Sequence, residues 1–206
     1  MSPRTLLLAA TAFVALPALA PAADAQTAFG LRAGLNVSDF SGDDAPDNTD
    51  PRLGFAGGLF ARVPVGASGL YVQPEVSYSM KGVTGEDGNG GDATIAVDYV
   101  EVPLLLGIAT PVTDSGLMVG GYAGPALGIK VRESVDFSVG GSSGSIESDV
   151  FNDLDVGAAF GVTVGAGPFG VDGRYTLGLV NAIDANEDAD VRNGVFTIAG
   201  TYTFGR

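Results

Sequence analysis

From residue 70 to residue 81 the chain alternates strictly, with Leu70, Val72, Pro74, Val76, Tyr78 and Met80 on one side and Tyr71, Gln73, Glu75, Ser77, Ser79 and Lys81 on the other. A period of two is a strand with unlike faces. It is longer than the usual globular strand, and its polar face is too costly to turn toward hydrocarbon. The same pattern recurs over 29–38, 53–63, 99–108, 117–132, 154–164, 169–179 and 195–204. In each, one set is apolar. The other is small or charged and includes Arg32, Glu101, Lys130, Arg132, Asp155, Asp172 and Arg174.

The connections alternate as well. Those at 41–51, 83–93, 133–152 and 184–190 are long and acidic, whereas those at 64–68, 110–115 and 165–168 are short. An even number of strands joined by long loops at one end and short turns at the other predicts an all-β, eight-stranded antiparallel up-and-down transmembrane β-barrel in an outer membrane. Its apolar sets face lipid and its small or charged sets fill a narrow interior. A soluble lipocalin-like barrel has the same strand number, but it would turn the apolar faces inward and leave Arg32, Glu75, Glu101, Asp172 and Arg174 outside.

Residues 1–25 carry Arg4, then apolar runs broken by Pro17 and Pro21, and end at Ala23-Asp24-Ala25. They read as a secretory signal peptide cleaved before Gln26, too short and interrupted to anchor as a helix. Residues 26–206 are then the barrel domain. After position 25 no apolar run reaches the length of a membrane helix, so a membrane-embedded mature chain has to be a closed barrel.

Composition narrows the chemistry. There is no Cys and no His, which removes disulfides, thiolate catalysis and the commonest general base and metal ligand. Thirty-two glycines without a collagen period, set among strand formers, suit turns and tightly packed sheet. The net charge of −14, with only Lys81 and Lys130 as lysines, argues against a nucleic-acid partner. The acidic loops 87–92 and 184–190 have the alternating oxygens of a calcium loop. Neither follows the EF-hand pattern: in the 184–190 loop Ala189 and Val195 stand where Gly and Glu are needed, and the 87–92 loop never completes it. No metal or other cofactor is expected.

The runs Gly30-Leu31-Arg32-Ala33-Gly34-Leu35-Asn36, Gln73-Pro74-Glu75-Val76-Ser77-Tyr78, Tyr99-Val100-Glu101-Val102-Pro103, Gly121-Tyr122-Ala123-Gly124-Pro125 and Gly173-Arg174-Tyr175 together resemble the PorT-like outer-membrane β-barrel proteins, among the small OmpA/OmpX-like barrels. The likeness spans essentially all of the mature chain. It implies the fold, an outer-membrane lipid environment and handling by the barrel-insertion machinery; the last strand departs from the usual outer-membrane pattern in that its terminal aromatic, Phe204, is followed by Gly205 and Arg206. It implies no substrate and no particular protein partner.

Within the barrel, counting back from the middle of the 83–93 loop sets residues summing to about 176 opposite one another. Glu75 then faces Glu101, with Pro74 near Pro103 or Val102. Two facing carboxylates need cations, and Arg32 and Arg174 point inward to supply them. Arg32, Glu75, Glu101 and Arg174 are therefore the expected interior charge network or constriction. Such a network fits a structural or adhesive scaffold with a plugged lumen and acidic external loops, not an enzyme. The second reading is a narrow porin-like channel for small solutes or ions.

Overall fold

A computed structural model describes residues 26–42, 45, 49–66, 68–86, 92–112, 116–139, 142–147, 151–182 and 191–204. The expected signal peptide and the acidic runs 87–91 and 184–190 lie outside them. Nine strands form among the described residues: β1 (Ala28–Ser41), β2 (Thr49–Pro64), β3 (Leu70–Glu86), β4 (Asp92–Pro111), β5 (Leu117–Val139), β6 (Ser142–Glu147), β7 (Leu154–Ala166), β8 (Phe169–Gly178) and β9 (Arg192–Phe204). Each stave pairs antiparallel with its neighbours in the order β4-β3-β2-β1-β9-β8-β7-β5, and β4 pairs with β5 to close the ring. The result is an eight-stranded antiparallel barrel.

The ninth strand corrects the expectation that 133–152 is irregular. Beyond the barrel β5 continues to Val139, flanked by β4 on one side and by the hairpin partner β6 on the other. The loop expected at 83–93 is likewise shorter, because β3 and β4 stay paired out to Glu86 and Asp92. Strand pairing satisfies the backbone groups of these segments better than an open loop would.

Side-chain alternation decides which face meets which medium. The outer wall is apolar, with Phe29, Leu53, Ile198 and Phe169 each more than half exposed, while inward Glu75, Lys81 and Asn36 are 0, 2 and 0% exposed. This inverts a soluble barrel and rules out the lipocalin-like arrangement. On β9 the outward set runs from Phe204 to Gly194, ten steps, or roughly 25 Å along the axis at a tilt of about 40°. That matches the apolar band of an outer-membrane barrel. At its short-turn edge Phe169, Tyr202 and Phe204 pack as a belt, with successive ring centroids 5.2 Å apart. At the other edge of the band, outward Tyr78 donates to Asp98 at 2.6 Å, and Arg132 lies 3.8 Å from the same carboxylate.

Arg132 was expected inside. A bulge reverses it: Tyr99 stands opposite Lys130 and Asp98 opposite Arg132, so Val131 is an extra residue on β5. One extra residue flips the parity of everything beyond it. Arg132 therefore turns outward, and Glu133 comes to the same inner face as Lys130, 2.8 Å from its ammonium.

Inside, several glycines face aromatic rings across the ladder. Gly30 stands opposite Phe60, Gly107 opposite Tyr71 and Gly161 opposite Tyr122. A Cβ on them would fall 2.2, 2.3 and 2.5 Å from the Phe60 ring, the Tyr71 ring and the Tyr122 hydroxyl, respectively. The glycines make room for rings to lie flat across the narrow lumen. At the Gly167-Pro168 turn, φ of +58° at Gly167 gives a second reason for glycine.

Candidate functional site

The polar lumen is built in layers, each by alternate residues of several staves. At mid-height Arg174 on β8 grips Glu75 on β3 with both terminal nitrogens, at 2.8 and 2.7 Å. Its Nε donates to the Tyr122 hydroxyl on β5 at 2.9 Å, and Tyr122 donates to Asp172 Oδ2 at 2.7 Å. Arg32 on β1 donates to Asp172 Oδ1 at 2.7 Å and lies 3.6 Å from Glu75. These five side chains form a closed circuit across the lumen, two cations against two carboxylates. Gln73 extends it, donating to Glu75 at 2.6 Å and accepting from Arg62 on β2 at 2.9 Å. Charges this deeply buried persist only when paired and hydrogen-bonded. The guanidinium fork is suited to that, because it serves several acceptors in fixed geometry.

Above this layer Asn36 donates to Ser79 at 2.9 Å and accepts from Thr197 at 2.7 Å, linking β1, β3 and β9. Higher still, Lys81 contacts Glu101 at 2.6 Å and Asp155 at 2.8 Å. Asn193 donates to Asp155 at 3.1 Å, and the Tyr99 ring lies 4.9 Å from the ammonium. At the mouth Lys130 joins Glu133 and the Phe151 carbonyl, and the Phe151 N–H donates to Glu133 at 3.2 Å. Phe151 stacks on Phe40 at 5.4 Å, within a buried cluster that includes Val83, Val97, Tyr99, Ala182 and Val191. This apolar cluster lies beside the Lys130–Glu133 pair at the long-loop end.

Three of the four expected residues, Arg32, Glu75 and Arg174, meet in the circuit. Glu101 does not, and the facing-carboxylate pair is corrected. Ser77 stands opposite Glu101 and Pro74 opposite Leu104, two residues along from the expected register. The cause is the turn: with β3 and β4 paired to Glu86 and Asp92, the hairpin is centred later than the middle of 83–93. The shift of two keeps both glutamates inward but at different heights, each with its own cations. Pro74 and Pro103 therefore do not share a rung. Asp172, Tyr122, Lys81 and Asp155 complete the two groups. Alternation already places all four inward, and only cross-lumen distances were missing. Among the described residues no cluster of acids has the arrangement of a metal site.

The comparisons agree with this architecture. The chain aligns over 87% of its length with the attachment invasion locus protein of Yersinia pestis, solved in complex with the heparin analogue sucrose octasulfate. That alignment covers 99% of that protein at 16% identity, with a TM-score of 0.50. Neisserial surface protein A aligns over 87% of this chain and 99% of its own at 14% identity and a TM-score of 0.47. For OprG of Pseudomonas aeruginosa the shares are 88% and 98%, at 15% identity and a TM-score of 0.43. At 16% identity the likeness to the Yersinia protein is one of fold. No curated protein matches. Residues 22–184 match the model of the outer membrane protein beta-barrel domain, and the chain belongs to that family of outer-membrane barrels.

Proposed function

We propose that this protein is a non-conducting outer-membrane scaffold whose work is done by the acidic loops it carries and not by passage through its lumen. The observation that carries the reading is the closed circuit of Glu75, Arg174, Tyr122, Asp172 and Arg32 spanning four staves at mid-height. The Phe40–Phe151 cluster packs at the loop end. The connecting segments 42–48 and 184–190 are rich in Asp and Glu, so a structural or adhesive role calls for a basic or neutral partner. The sulfated ligand held by the Yersinia protein would be repelled by such loops. The PorT-like motifs add no substrate to this picture. No catalytic role is assigned, since Glu75 and Glu101 are each engaged by cations.

Planar-bilayer recordings test the reading. Purified protein is expected to give a flat baseline, and so is Phe151→Ala, which loosens the loop-end cluster but leaves the mid-height circuit. Discrete openings in the unaltered protein, modified by Glu101→Gln, would sink the scaffold reading in favour of a narrow porin-like channel.

A further inference from the structure

On the outer wall, charge begins where the apolar band stops at its long-loop edge. Along β5 the outward positions from Val119 to Ile129 are apolar or small, ten steps as on β9, and the next outward residue is Arg132. β4 matches it. There Ile108, Leu106, Leu104, Val102 and Val100 form the outward set, and Asp98 follows directly opposite Arg132. Both residues therefore lie at the level where hydrocarbon gives way to lipid headgroups.

Asp98 is the seat of a small cluster. It is 0% exposed, accepts from the Tyr78 hydroxyl at 2.6 Å, and lies 3.7 Å from Arg52 and 3.8 Å from Arg132. At these distances the guanidiniums are ion-paired to it without hydrogen bonds. Arg52 turns a donor to the Lys81 carbonyl and is largely buried. Arg132 keeps 55% of its side chain exposed, so the carboxylate beneath orients its fork and leaves it presented outward. Two guanidiniums against one carboxylate make this cluster positive, in a chain whose net charge is −14. The bulge creates the arrangement. Without the extra Val131, Arg132 would share the inner face with Lys130. Bulges re-aim side chains at barrel rims, and here the re-aimed side chain is the one that reaches the headgroup level.

We propose that Arg132, seated on Asp98, binds the phosphate of an outer-leaflet lipid. In outer-membrane barrels the long-loop end faces outside, so this edge of the band meets the outer leaflet. A guanidinium fork matches phosphate geometry, and basic groups bordering an apolar band are where anionic headgroups are held. The contact is on the outer wall, so it stands or falls independently of whether the lumen conducts and of what the loops bind.

The test is solution NMR of the full barrel in neutral maltoside micelles. It is titrated separately with lipid A, a phosphorylated glycolipid of the outer leaflet, with the same lipid dephosphorylated, and with inorganic phosphate. Saturating shifts are expected at the amides of Asp98 and Arg132 with lipid A. Binding of the dephosphorylated lipid, and of lipid A to Arg132→Gln, is expected to be about tenfold weaker, as loss of a hydrogen bond to a charged group implies. Heat-modifiable gel mobility checks that the variant folds. Should it not, Arg132→Lys, which keeps the charge and loses the fork, decides by weakening binding about threefold. Equal binding of the two lipids, saturation by inorganic phosphate at the concentration that lipid A needs, or unchanged binding in the folded variant overturns the proposal.

Discussion

Replacing Arg174 by Met leaves Glu75 fully buried with its two shortest cationic contacts gone, those at 2.7 and 2.8 Å. What remains is Gln73 at 2.6 Å and Arg32 at 3.6 Å, the latter already committed to Asp172 at 2.7 Å. Removing one partner of a buried ion pair costs about 3–5 kcal/mol. Because Arg32 can take up part of the charge, we expect the lower end, about 3 kcal/mol. Glu75→Gln strands Arg174 instead and should cost a similar amount. The double change Arg174→Met with Glu75→Gln removes one charge of each sign and leaves the Arg32–Asp172 pair intact. It should therefore cost less than the two single changes together, with a coupling of about 2–3 kcal/mol. The chain has no Trp, so urea unfolding in micelles is best followed by far-UV circular dichroism, with gel mobility as a second probe. Single changes costing below about 1 kcal/mol, or costs that add in the double variant, would refute the circuit as a coupled unit.

Three more outcomes follow from other parts of the barrel. Lys81 has two carboxylates, so Glu101→Gln or Asp155→Asn alone should cost about 1–2 kcal/mol, whereas both together should exceed their sum by leaving the ammonium buried alone. The same unfolding assay checks it. Gly161→Val drives a Cβ to 2.5 Å from the Tyr122 hydroxyl and 2.6 Å from the Gly173 carbonyl, and should cost at least about 1–3 kcal/mol or abolish folding into micelles. Ile198→Arg, near the middle of the apolar band, should cost about 2–4 kcal/mol in lipid bilayers, while Phe204→Arg at its edge should cost about 0–1 kcal/mol. Equal costs would contradict the placement of the band.

Alternation was legible residue by residue because it is local: the faces of Leu70 to Lys81 follow from the two-residue period alone, and with them the inward placement of Arg32, Glu75, Tyr122, Asp172 and Arg174. Where the period slips, the reading failed. Val131 carries no mark of a bulge, yet it turns Arg132 outward and brings Glu133 in beside Lys130. The hairpin between β3 and β4 was misplaced by two residues because its centre depends on how far the strands stay paired, and a polar, glycine-rich loop does not say where pairing stops.

The sequence by itself determined the strand number of the barrel, the side of each strand that meets lipid, and the presence of balanced charge in the lumen, since all three depend on short-range periodicity and the cost of burying polar groups. Only the tertiary structure decided which charges meet. Closing the ring brings β1, β3, β5 and β8 across a lumen narrow enough for one guanidinium to reach the opposite wall. Partner choice there depends on register, and a slip of two residues moves Glu101 from Glu75's circuit to the Lys81 layer. It also decided that Phe40 and Phe151 stack, with ring centroids 5.4 Å apart, because packing of segments distant in sequence has no local signature.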